Sequence, residues 1–216
     1  MVLVRCRRSE RVPAERPPEV MVRTLEPHEL DASNDLELAR SQVAACCAPA
    51  VTATRSEVLA FIDAHDDALV RTCVPGHLTG SAFVYDASGD RFVMLHHTKL
   101  RKWLQPGGHA DGDANLAAVA LREAVEETGI IGLHVTVPAI DIDIHVVAPP
   151  SEQPHRHLDL RFLVLAPPDA AMQGNHESTA LRWCGVEDLD ALDVDESIHR
   201  LVAAGRAAAI RAAAGT

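Results

Sequence analysis

The chain has 216 residues, 47 % of them hydrophobic and only 3 % aromatic, enough for one sizeable core built mainly from Val, Leu, Ile and Ala. Twenty Lys+Arg against 31 Asp+Glu leave a formal net charge of −11, which argues against nucleic-acid backbones and acidic membrane surfaces as partners. No apolar run approaches the roughly 18–20 residues of a membrane span, and a phosphate substrate would need a cation to offset the protein's own field.

Residues 1–20 are rich in Arg, Glu and Pro without any period and are expected to form a disordered tail, with Met21 a candidate start. Arg5, Arg7 and Arg8 interrupt the first apolar residues before a signal-peptide core could form, so a cytoplasmic protein is expected. The five cysteines (Cys6, Cys46, Cys47, Cys73, Cys184) have no CxxC spacing and read as reduced thiols. Apolar spacing predicts a helix from Asp31 to Cys47, capped by Ser33 or Asn34 and ended by Pro49. A second follows from Ser56, and residues 21–75 together read as an N-terminal helical extension.

The pattern changes after Gly76. Leu78 to Tyr85 and Arg91 to Leu95 read as strands joined by a hairpin turn, Asp86-Ala87-Ser88-Gly89-Asp90. A Gly-rich loop, Gln105 to Asp113, enters a helix from about Asn115 to Thr128, which Gly129 stops. Two alternating strands come next. Ile140, Ile142, Ile144 and Val146 interleave with Asp141, Asp143 and His145; Leu158, Leu160, Phe162 and Val164 interleave with His157, Asp159 and Arg161. Each is expected to put one face in the core and one face in water or a cleft. A last strand near Leu181–Cys184 closes the main domain, residues 76–190, and an Ala-rich helix fills 191–216.

At about 100° per residue, Glu123, Glu126 and Glu127 fall on one arc of the central helix, with Ala117, Leu121, Ala124 and Val125 on another, expected to pack. Carboxylates at such spacing repel one another. The cluster suits either a solvated acidic face or a hard cation, Mg²⁺ or Mn²⁺, which takes oxygen ligands and keeps room for water and phosphate.

The residues around it resemble the Nudix box: Gly, five residues, Glu, seven residues, then Arg-Glu-apolar-any-Glu-Glu-any-Gly-apolar. Gly108, Arg122, Glu123, Glu126, Glu127 and Gly129 match in register, with Ala124 and Ile130 at the apolar positions. Six such identities arise by chance on the order of once in 10⁵ chains this long. Ala114 stands where the pattern has its first Glu; Asp111 and Asp113 are candidate substitutes. The resemblance spans roughly residues 78–190 and implies an α/β/α sandwich around a mixed β-sheet, flanked here by the N-terminal helical extension and the C-terminal helix.

It also implies a Mg²⁺-dependent hydrolase (Mn²⁺ being an alternative) that cleaves a diphosphate bond in a nucleoside diphosphate derivative or related small molecule by water attack at phosphorus. A homodimer is consistent with it. Carried over residue by residue, Glu123, Glu126, Glu127 and the Gly108 carbonyl are the metal ligands, Arg122 orients the carboxylates, and the general base is Glu123 first or Glu177 second. Two other readings stay open. One is a ligand sensor without activity, although the late carboxylates are all kept. The other is an isomerase of isopentenyl diphosphate, which calls for a cysteine in the loop after Trp103 that Leu104 to His109 lacks.

Lys99 and Lys102 are candidates to meet a terminal phosphate, and Trp103 to stack on a ring. His155, His157 and Asp159 share one strand face. At ~3.3 Å per residue His155 and Asp159 stand about 13 Å apart, too far to share one ion, so they are expected to line a pocket with Asp141, Asp143 and His145.

Overall fold

The computed structural model describes residues 21–148, 153–176 and 178–214; residues 1–20, expected as a tail, lie outside them. A short strand β1 (Arg23–Thr24) precedes helices α1 (Leu36–Ala45) and α2 (Thr52–Ala64). Strands β2 (Gly76–Asp86), β3 (Arg91–His97), β4 (Trp103–Leu104) and β5 (Gly107–His109) lead to helix α3 (Leu116–Thr128). Strands β6 (His134–Val137), β7 (Asp141–Val147), β8 (His155–Leu165) and β9 (Ser178–Cys184) follow, then α4 (Leu189–Leu192) and α5 (Glu196–Ala214).

Two helix starts differ from expectation. Asp35, not Ser33 or Asn34, caps α1, its carboxylate accepting the Glu37 N–H at 3.1 Å. Ser33 turns its amide and carbonyl to the loop before α3 instead. Helix α2 begins four residues before Ser56, because a 3₁₀ turn at Pro49–Val51 runs straight into it. Strand β6 was not anticipated; four residues are too few to show a period.

The sheet is mixed. Its strands pair in the path β1–β6–β8–β2–β3–β4, with β5 on β2, β7 on β8 and β9 on β3. Only the β2–β8 pair is parallel among these, in register from Gly76↔Arg156 to Tyr85↔Leu165. Strand β2 is buried along its whole length, as a central parallel strand should be.

One face of this pair is apolar: Leu78, Ala82, Val84, Leu158, Leu160 and Phe162 join a core completed by α1, α2 and α3. Helix α3 lies close on it, since a Cβ at Gly80 would come within 2.7 Å of the Leu116 carbonyl. This contact sets the helix's rotation. Leu116, Ala117, Ala120 and Ala124 are buried, whereas Val125 is 45 % exposed and Leu121 half-buried, which corrects the packing face expected from the sequence. The other face packs Phe83, Tyr85 and Leu163 under α5, whose Gly205 lets Phe83 approach. Toward the opposite end that face carries His77, Thr79, Ser81, His157, Asp159 and Arg161.

Candidate active site

The helix that carries the glutamates is fixed at both ends. Asn115 caps α3 by accepting the Ala118 N–H, while its amide donates to the carbonyls of Glu29 (2.8 Å) and Asp31 (3.2 Å) and its oxygen also accepts from Gln42 (2.9 Å). Gly129 ends the helix in the left-handed region at φ 63°.

Strand β5 then lies along the glutamate side of α3. Gly107 and Gly108 pair with Ser81 and Gly80 of β2. The Gly107 N–H donates to Glu127 Oε2 at 2.9 Å, and Glu127 is only 4 % exposed. A Cβ on Gly108 would sit 2.4 Å from Glu123 Cδ, so the carboxylate occupies the space a side chain would take. Arg122 holds that carboxylate from the other side: its Nη2 donates to Glu123 Oε1 (3.1 Å) and to the His109 carbonyl (3.3 Å). Glu126 is exposed, and its carbonyl accepts from Asn175 at 3.1 Å. Two carboxylates gathered on a glycine strand are a donor set that fits a hard divalent cation.

The candidate substitutes for the missing first Glu have other partners, and Asp113 also stands 4.0 Å from the Arg122 guanidinium that holds Glu123. Asp111 is held by Arg71 through two bonds of 2.7 Å. Asp113 accepts the amides of Ser33 and Asn115. Ala114 itself is fully buried, with its amide on the Ser33 carbonyl.

The polar sheet face corrects another expectation. Asp159 does not line a wet wall: it is 1 % exposed and accepts from Thr79, Ser81 and Arg161 at 2.7–2.9 Å, with Gln105 at 3.5 Å. Asp141 is equally buried, bonded by Arg161 and Arg200. Helix α5 covers this end of the face and supplies Arg200, so alternation here separates two buried surfaces rather than a core from water.

Beyond Asp159 the face becomes a group of imidazoles. His157 lies opposite His77 on β2 and His145 on β7, and the His109 ring joins from β5 with centroids 4.8 Å from His157 and 4.9 Å from His77. Burial, then the neighbouring His109 and His145, push the His157 pKa down to about 2; burial, then Arg71, push His109 to about 4. Both rings are therefore neutral near pH 7. His77 and His109 were missed by sequence reasoning, since the expected strand began at Leu78 and only the β2–β8 pairing brings His77 to His157.

Lys99 is exposed on the turn between β3 and β4. Trp103, with Lys102, Leu104, Asp193, Val194 and Asp195, lines a hollow of about 210 Å³. A larger one, about 330 Å³, lies at Val137, Pro138 and Phe162, away from the carboxylates. Glu177 lies outside the described residues. No helix among the described residues is long and apolar enough to cross a membrane.

A search against family profiles matches the NUDIX domain over residues 76–204, more than half of the chain. The chain belongs to the NUDIX family. The chain is 32 % identical over 91 residues to a probable DHNTP pyrophosphohydrolase of Lactococcus lactis subsp. cremoris, an alignment covering 40 % of this chain and 52 % of that protein. The chain thus spans about half the length of that curated relative. Among solved structures, an Ap4A hydrolase of C. elegans is similar at 19 % identity and TM-score 0.50, covering 60 % of this chain and 95 % of that one. A NUDIX-family hydrolase of Clostridium perfringens is similar at 24 % identity and TM-score 0.50, covering 62 % and 97 %. These likenesses show the NUDIX fold, which in this chain is a mixed sheet with α3 and the N-terminal helices on one side and α5 on the other.

Proposed function

We propose that this NUDIX chain is a divalent-cation-dependent pyrophosphohydrolase that splits a diphosphate bond in a nucleoside diphosphate derivative or a related small anion. The observation that carries this reading is the seating of Glu123 on Gly108 and of Glu127 on the Gly107 amide, in the register of the family's box. Glu123 and Glu127, helped by Glu126 and the Gly108 carbonyl, would hold Mg²⁺ or Mn²⁺. Such an ion supplies neutralisation of phosphate charge and a lowered pKa for attacking water.

The chain's own residues do the rest. Arg122 fixes the Glu123 carboxylate so that one oxygen stays aimed while the other accepts a guanidinium N–H. Glu123 is positioned as the base that takes the water's proton; Glu177 stays the second candidate. Lys99 and Lys102 are exposed ahead of the box, where a leaving phosphate chain would emerge, and Trp103 offers a ring face beside them. His155 and His157 stand on the sheet face that continues from Gln105 and are the remaining candidates for substrate contact.

The test is a panel containing DHNTP, a dinucleoside polyphosphate, a nucleotide sugar and a nucleoside triphosphate, each assayed with Mg²⁺ and with Mn²⁺. Release of phosphate, pyrophosphate or a nucleoside monophosphate by the wild type but not by Glu127→Gln supports the hydrolase. Binding of a panel member without turnover would identify the chain as a sensor instead.

A further inference from the structure

Five histidines crowd one end of the polar sheet face, and their arrangement follows from register rather than from sequence spacing. His77 of β2, His157 of β8 and His145 of β7 stand side by side across three adjacent strands. Strands about 4.8 Å apart place same-face rings at that separation. The centroids are 4.9 Å apart for His77–His157 and 5.4 Å for His145–His157. His109 enters from β5 and His155 sits 4.9 Å from His77. Only His155 and His157 of the five share a strand, with centroids 5.4 Å apart; the others converge on them from neighbouring strands.

His77, His109 and His157 each offer one ring nitrogen, and these three atoms all lie within 4.8 Å of one another. Tetrahedral coordination at about 2.0–2.1 Å needs nitrogens about 3.4 Å apart, a closure that small ring rotations supply. Nε2 of His157 is buried and has no hydrogen-bond partner among the described residues, which is an uncommon condition for a polar atom. The neighbouring rings are oriented as metal-site histidines are. Nδ1 of His155 faces the Gln153 carbonyl at 2.9 Å and must be the donor there. Nδ1 of His145 likewise meets the Asp143 carboxylate at 3.1 Å.

We propose that His77, His109 and His157 form a binding site for a divalent transition-metal ion of the zinc class, chemically distinct from the carboxylate site on α3. Imidazole nitrogens select such ions over Mg²⁺, which keeps to oxygen ligands. Three protein nitrogens leave a fourth position for His155 or for a solvent or substrate oxygen. Because His109 directly follows Gly108 along β5, its ring stands on the sheet face opposite the one that meets Glu123, and the strand separates the two sites. This inference does not rest on the hydrolase reading.

The experiment uses the full chain stripped with a chelator, titrated with Zn²⁺ against a chromophoric competitor and with Co²⁺ followed by visible absorption. One equivalent of Zn²⁺ bound at submicromolar strength is expected, with the intense Co²⁺ bands of tetrahedral nitrogen coordination. His157→Gln and His109→Gln should each weaken Zn²⁺ binding at least about a hundredfold, while Glu127→Gln binds as wild type. Circular dichroism of the metal-free proteins checks folding; should His157→Gln fail to fold, the half-buried His109 carries the test alone. Weak or absent Zn²⁺ binding, binding unchanged in the folded His variants, or binding lost in Glu127→Gln would overturn the assignment.

Discussion

The amide of Ala114 donates to the carbonyl of Ser33, tying the segment ahead of α1 to the loop that enters the glutamate helix. At this position the family pattern carries a glutamate, and here the side chain is a fully buried methyl. A longer acidic residue would have to displace residues 29–33 or place a charge in the core. Ala114→Glu should therefore destabilise the fold by about 3 kcal/mol or more, with no gain in cation binding. Urea unfolding checks this; a variant as stable as wild type would show that the corner has room.

Gly108 carries no side chain because Glu123 fills the space. Gly108→Ala would put a Cβ 2.4 Å from Glu123 Cδ, forcing the carboxylate aside while leaving β5 paired to β2. The expected result is a loss of turnover of about a hundredfold with a melting temperature close to wild type. Parallel activity and thermal measurements separate the two effects.

Arg161 is 2 % exposed and bonds Asp141, Asp143 and Asp159 at 2.9–3.2 Å. Its own desolvation is outweighed by those three carboxylates, and its pKa is raised. Arg161→Ala leaves buried negative charge uncompensated and should cost about 3–5 kcal/mol. The exposed pair Arg206–Asp90, at 2.6 Å, should cost less than about 1 kcal/mol when Arg206 is replaced by Ala. Denaturant midpoints for the two variants test the contrast.

Burial alone would raise the pKa of Asp143, but the His145 hydrogen bond, Arg161 and Arg200 outweigh it and hold it well below the usual carboxylate range. Its folded pKa lies under its unfolded value of ~3.9. The stability it contributes is then complete above that value and is lost as pH falls below it. His145, whose pKa is raised, stays protonated throughout this acid window. Unfolding free energies between about pH 5 and pH 2 should fall less steeply for Asp143→Asn than for wild type. Equal slopes would contradict the sign argued here.

Much of this was readable in the chain. The α3 boundaries, its Asn115 start and Gly129 stop, and the central strands follow from local patterns that the packing leaves intact. The positions of Glu123 and Glu127 follow from the motif. What the chain hid depends on distant partners. The alternation of Asp141 and Asp159 looked like a wet face because nothing local says that α5 will cover it with Arg200. His77 looked like a loop residue until β2 ran parallel to β8. Val125 looked like a packing residue because the close approach at Gly80 sets the rotation of α3, and no helical wheel contains that contact.

The claim on which the functional reading stands is that Glu123 and Glu127 capture a hard cation against the Gly107–Gly108 strand. A Mn²⁺ titration read by electron paramagnetic resonance, run on wild type, Glu123→Gln and Glu127→Gln with the histidine cluster unchanged, measures that capture without any assumption about substrate. Saturable Mn²⁺ binding by wild type, displaced by Mg²⁺ and weakened at least about tenfold in each variant, is the predicted result. Binding of equal strength in all three proteins would contradict it.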